Sequence, residues 1–167
     1  VSVADIKRNN SLKNPNRLYV GTKLKIPAAG AVAGPVTAAH RTQAENAGLS
    51  FNWPVRSVGR VQRDGHDGVK SIGIVIQTQG RSPVYCAENG VIKKIGYMRG
   101  YGNYVVVVHS SRFMTVYANL GAVAVKDGQH IRKGNVIGTL ESTDGHLHFQ
   151  INHAGKPLDA LAILPKR

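Results

Sequence analysis

A single cysteine, Cys86, stands in the whole chain, so no disulfide closes within it and no Cys-x-x-Cys metal knuckle exists. It lies in the apolar run Val84-Tyr85-Cys86-Ala87, without a neighbouring base or helix start to favour a thiolate, and reads as a buried structural thiol. No apolar run approaches the roughly 18 residues that a membrane-spanning helix needs. No signal-peptide pattern opens the sequence at Val1, which reads as lying partway through a module. Aromatic residues are scarce at 6 %, and only 9 residues are acidic.

What is present begins with positive charge. Lys and Arg number 22, giving a formal net charge of +13, and such a surface concentrates polyanions. The cations are scattered (Lys7, Lys23, Arg56, Arg60, Lys93, Lys94, Arg132, Lys133) rather than gathered in a stripe. Nucleic-acid binding would also need stacking aromatics, and that signature is missing. No nucleic-acid partner is therefore expected. Peptidoglycan stem peptides, anionic wall polymers and anionic head groups remain open as partners.

At 167 residues and 42 % apolar, the chain holds one ordinary domain plus a small appendage. Residues 1–27 form a unit: a short helical pattern from Val3 to about Asn10, turn chemistry around Asn14-Pro15-Asn16, then the alternating strand Thr22-Lys23-Leu24-Lys25-Ile26 stopped by Pro27. Residues 28–50, opening Ala-Ala-Gly-Ala-Val-Ala-Gly-Pro, read as a low-complexity linker with at most a weak helical turn or two from His40 to Leu49. From Phe51 to Arg167 short apolar runs alternate with Asn89-Gly90, Asp127-Gly128, Lys133-Gly134 and Ala154-Gly155 turns. That texture predicts an all-β antiparallel domain with no room for a helix of three turns.

Gly145-His146-Leu147-His148-Phe149 carries the chemistry. On a strand, His146 and His148 project from one face, because side chains alternate with period two. Two imidazoles so placed can share a metal, or divide metal binding and proton transfer between them.

Further stretches carry a resemblance. Trp53-Pro54-Val55, Gly80-Arg81-Ser82-Pro83-Val84-Tyr85 with Asn89-Gly90-Val91, Gly100-Tyr101-Gly102-Asn103 with Val105 to His109, Tyr117-Ala118-Asn119-Leu120 and His146-Leu147-His148-Phe149 follow in order. Over residues 51–164 the chain thereby resembles the LytM/lysostaphin-type zinc endopeptidases, which cut peptidoglycan cross-bridges. The resemblance implies an antiparallel β-sandwich or open barrel of LytM type. Residues 1–27, through Val3, Ile6, Asn10, Leu18, Gly21, Leu24, Ile26 and Pro27, resemble the second half of a LysM glycan-binding module, so a partial LysM appendage is expected.

In the peptidase family a His and an Asp four residues apart, with the second His of His-x-His, hold zinc, and two further histidines handle water. Carried onto this chain, the ligand pair falls on Ser71 and Val75, and the histidine of the Tyr-Ala-His-Leu motif falls on Asn119. Only His146 and His148 persist. A hydrolytic zinc site needs about three protein ligands and an open position for water. The resemblance therefore implies a non-catalytic protein without zinc, in the manner of EnvC- and NlpD-type murein hydrolase activators, located in the periplasm or cell envelope. Its former substrate groove, lined by Ser71, Val75, Tyr101, Asn119, His146 and His148, would take a cell-wall amidase, with peptidoglycan a possible partner. The alternative is an active zinc endopeptidase with shifted ligands drawn from His66-Asp67. His109 reads as structural, and His40, His130 and His153 as surface residues.

Overall fold

The computed structural model describes residues 35–65, 71–141 and 145–166. The LysM-like segment 1–27 and the His66-Asp67 pair lie outside the described residues. Among the described residues the alternating runs become ten strands in one antiparallel network. They are β1 (Val61–Arg63), β2 (Ile74–Gln77), β3 (Pro83–Tyr85), β4 (Gly90–Met98), β5 (Gly102–Val108), β6 (Phe113–Val123), β7 (His130–Ile131), β8 (Val136–Leu140), β9 (His146–His153) and β10 (Lys156–Leu158). The main sheet runs β1-β2-β9-β6-β5-β4-β7 and stays open; β10 adds to β9, and β8 bridges β3 and β6.

Strand β6 is the spine. It lies along β5 on one side. On its other side it pairs first with β9, from Phe113↔His153 to Ala118↔His148, and then with β8, from Leu120↔Leu140 to Val123↔Gly138. The change of partner falls at Asn119, whose φ of 69° is left-handed. Asparagine is one of the few side chains that adopt this conformation at low cost. At the β8 contact only glycine fits, because a Cβ on Gly138 would lie 2.2 Å from the Ala122 carbonyl oxygen.

Period-two alternation sends Ile74, Ile76, Val105, Val107, Phe113, Tyr117, Leu147, Phe149 and Ile151 to one face, each at most 1 % exposed. Removing such side chains from water contributes about 1.5–3 kcal/mol apiece. One polar chain crosses this core. The Ala87 N–H donates to the Tyr117 hydroxyl at 2.8 Å, Thr115 and Tyr117 hydroxyls are 3.1 Å apart, and Thr115 Oγ1 lies 2.8 Å from His109 Nε2. His109 Nδ1 is 2.7 Å from the Asn89 carbonyl, an acceptor, so Nδ1 carries a proton, while Thr115 donates its hydroxyl proton to Tyr117. Burial holds His109 below the usual imidazole range, against the opposing pull of Asn89 and Glu88. Cys86 is buried, its thiol donates to the Glu88 carbonyl at 3.0 Å, and burial raises its pKa.

The stretch read as linker differs from that expectation. A helix spans Pro35–Asn46, and the compact unit begins at Pro35 rather than near Phe51. Proline opens it, where its missing N–H costs nothing, and Gly48 at φ +67° closes it, donating to the Glu45 carbonyl at 2.9 Å. Ala44 is buried in the core. The helix is otherwise fixed by polar links that leave no hydrophobic pattern. Arg41 Nε donates to the Ala162 carbonyl at 2.8 Å, and the Asp159 N–H donates to His40 Nδ1 at 3.0 Å. A last short helix, Ala160–Ile163, is capped by the Asp159 carboxylate on the Leu161 N–H. His40 is accordingly half-buried and structural, and His153 lies against the Phe113 ring at 4.5 Å, whereas His130 is exposed. Trp53-Pro54-Val55 is not a strand; Val55 is buried and the Trp53 indole donates to the Pro165 carbonyl at 3.0 Å.

Candidate functional site

The face of the sheet opposite the core follows from register. Val75 sits directly opposite His148, and Gln77 opposite His146. Continuing across the sheet, His148 faces Ala118, Ala118 faces Tyr104 and Tyr104 faces Gly96. One rung along, Gln150, Val116, Val106 and Lys94 form a second row. These rows floor a cleft of about 330 Å³, polar at its His148 and Gln150 end and apolar through Tyr104, Val106, Val116 and Ala118. Its rim carries exposed apolar side chains: Ile72 at 42 %, Met98 at 51 % and Tyr101 at 38 %. Gly96 allows the Tyr104 ring to lie close, since a Cβ there would be 2.8 Å from it.

His148 is the best-held polar group in the cleft. The Tyr101 ring meets it edge-on with centroids 4.9 Å apart. The Gln150 side-chain N–H donates to His148 Nε2 at 2.7 Å, which requires that nitrogen to be unprotonated. On the other side stands Asp64, with Oδ2 3.6 Å from His148 Nε2. Burial keeps His148 below the ordinary imidazole range; Asp64 pulls the other way, and nearby His146 adds to the depression. At neutral pH the pair is thus an ionised carboxylate beside a neutral ring, and a full ion pair forms only on acidification.

Asp64 was not expected here. Its Oδ1 accepts from Ser71 Oγ at 2.6 Å, the Gly73 N–H at 2.9 Å and the Ile72 N–H at 3.0 Å. Burial alone would raise its pKa, but the bonds from Ser71 and Gly73, the neighbouring His148 and the bond from Ile72 outweigh it and hold Asp64 below the usual carboxylate value. It joins the residue after β1 to Ser71, Ile72 and Gly73 beside the polar end of the cleft. Asp64-Gly65 was legible as turn chemistry, but its return to Ser71 was not. Gln150, by contrast, continues the His-x-His spacing and could have been read.

Of the six expected groove residues, His148 and Tyr101 line the cleft and Val75 abuts His148. Ser71 borders it through Asp64. His146, half-buried, lies one rung further along β9, opposite Gln77. Asn119 is a fastener: its N–H donates to the Tyr101 carbonyl at 2.6 Å and its side chain to the His146 carbonyl at 2.8 Å. Zinc, the metal of the endopeptidases this chain resembles, fits these residues poorly. The Ser71 hydroxyl is committed to Asp64, Val75 offers no donor atom, and His148 Nε2 is taken by Gln150. Among the described residues no three of His, Cys, Asp or Glu are gathered to hold a metal.

The description "Peptidase family M23" matches residues 69–160, and "LysM domain" matches residues 1–27. The chain is 30 % identical over 185 residues to the uncharacterized lipoprotein YgeR of Escherichia coli, covering 98 % of this chain and 73 % of that protein. To the murein hydrolase activator NlpD of Salmonella typhimurium it is 30 % identical over 166 residues, 92 % of this chain and 42 % of the relative. It therefore spans less than half of that activator's length. Among solved structures, a zinc containing peptidase from Vibrio cholerae superposes with a TM-score of 0.59 at 26 % identity, over 70 % of this chain and 40 % of the other.

Proposed function

This chain belongs to peptidase family M23, and from that premise we propose that it is a non-catalytic member whose groove binds a cell-wall amidase and switches it on during wall remodelling in the cell envelope. The observation that carries the reading is the pairing of Val75 with His148 on the groove face. The family's carboxylate would stand where an isopropyl group stands, beside a histidine capped by Gln150. Without a bound metal to acidify it, water stays a poor nucleophile at neutral pH. The cleft nonetheless keeps an apolar floor and an exposed Ile72, Met98 and Tyr101 rim. Such a sheet-floored groove suits an extended or helical protein segment better than a small polar substrate. Similarity to a murein hydrolase activator supports the same reading.

A second reading, a zinc endopeptidase with shifted ligands, draws on Asp64 beside His148. Asp64 Oδ1 is already saturated by three donors, which weighs against it. Purified amidase supplies the test. Tyr101→Ala and Met98→Glu are expected to weaken binding and amidase stimulation roughly tenfold, as for a rim anchor, with the melting temperature unchanged. Unaltered stimulation in both variants would refute groove binding.

A further inference from the structure

The sheet is open along β4. One side of that strand pairs with β5 from Val91↔Val108 to Met98↔Gly102. On its other side β7 pairs with Gly90 and Val91 alone. The Ile92 N–H then donates to the Gln129 carbonyl, and the Gly128 N–H donates to the Ile92 carbonyl, both at 2.8 Å. From Lys93 to Met98 no second strand follows among the described residues. Alternate residues of such an edge direct their N–H and C=O groups away from the sheet, where an extended chain can pair with them. Lysine on an edge repels stray copies of the same chain. Lys93 and Lys94 are exposed, as is Arg99 beyond them, and none has an ion pair among the described residues. The acid closest to this edge in the sequence of β7 and its turn, Asp127, stands beside Lys126 at the Ile92 end. With 22 cations against 9 acids, a second copy meets this strand with repulsion and an acidic segment meets it with attraction.

The edge offers more than charge. Tyr97 is 73 % exposed, with Met98 next to it. Gly96 leaves a gap that the Tyr104 ring enters from β5, since a Cβ on Gly96 would lie 2.8 Å from the Tyr104 hydroxyl oxygen. That hydroxyl lies over β4 and has no hydrogen-bond partner among the described residues. Lys94, two residues before Gly96, shares its face. One face of an added strand would therefore meet the Lys94 ammonium and the Tyr104 hydroxyl, and the other would meet Ile95 and Tyr97. We propose that an extended acidic segment of a protein partner adds to the sheet along Lys93–Met98, with carboxylates on the Lys94 face and apolar side chains against Ile95 and Tyr97. Main-chain pairing supplies the register, and the alternating side chains supply the selection. The inference does not depend on amidase activation.

The test is an amide NMR titration of the full chain with the synthetic peptide acetyl-Thr-Val-Glu-Val-Glu-Val-Thr-amide at low salt, with hydrogen exchange followed alongside. In the free chain alternate amides of Lys93–Met98 should exchange fast, and saturating peptide should slow them. Affinity should fall roughly tenfold in Lys93→Glu, an exposed site outside the groove, and be lost when the peptide's backbone amides are N-methylated. Tyr101→Ala should leave it unchanged. The proposal is overturned by absence of saturable shifts, by equal affinity in Lys93→Glu, or by undiminished binding of the N-methylated peptide. Loss of affinity in Tyr101→Ala with Lys93→Glu silent would place the peptide in the groove instead. Protection of all the Lys93–Met98 amides in the free chain would show the edge already covered, by the chain itself or by a second copy, and would equally overturn it.

Discussion

Asp64→Ala is the most informative single substitution. It removes an acceptor that serves Ser71 Oγ, Ile72 N–H and Gly73 N–H at once, together with the charge facing His148. Hydrogen bonds to an ionised group contribute about 1.5–3 kcal/mol each. The three do not sum, because Ile72 is 42 % exposed and water replaces the lost acceptor there. Ser71 and His148 are more enclosed, and the total loss is about 2–4 kcal/mol. Asp64→Asn keeps an acceptor and gives up only the charge, so about 1 kcal/mol is expected. Urea unfolding at neutral pH measures both, and amide exchange at Ile72 and Gly73 shows whether these two N–H groups lose protection first. An Asp64→Ala loss below about 0.5 kcal/mol, typical of an uninvolved surface site, would refute the role given to these hydrogen bonds.

Stability should also fall on mild acidification. His109 and His148 are both held below the ordinary value of 6.5, so the unfolded chain takes up protons first; their contribution is complete above that pH and is lost as pH falls toward the folded values. The slope reaches about 1.4 kcal/mol per pH unit for each ring, and a flat profile between pH 7 and 5 would contradict the assignment. A second loss is expected below pH 4.5, as Glu88 and Asp64, both held below their ordinary values in the folded chain, take up protons. Tyr117→Phe strands the buried Ala87 N–H and should cost about 1–3 kcal/mol by calorimetry without changing amidase stimulation; a neutral effect would show that the polar chain is dispensable.

The β-domain was legible because each strand states its own face. Val105-Val106-Val107-Val108 and Leu147-His148-Phe149 need only period-two alternation, and His146 with His148 declared one side of β9 before any fold was known. Local rules also placed the turns. What escaped were features whose partners lie far along the chain. The helix Pro35–Asn46 carries alanine and polar residues with little periodicity, and Arg41 finds its acceptors at Ala162 and Leu164. Asp64 is one acid in a glycine-rich turn until β2 brings Ser71, Ile72 and Gly73 back to it. Tyr101 and Asn119 were singled out from motif spacing, and their division into a ring against His148 and a loop fastener depends on the partner change in β6.

Zinc content measured together with peptidoglycan digestion tests the central claim that the groove binds and does not cut. Protein purified without chelators is expected to carry well under about one zinc per chain and to release no fragments, since one retained ligand cannot hold the metal at ambient levels. One equivalent of zinc with turnover, abolished by His148→Ala, would contradict it.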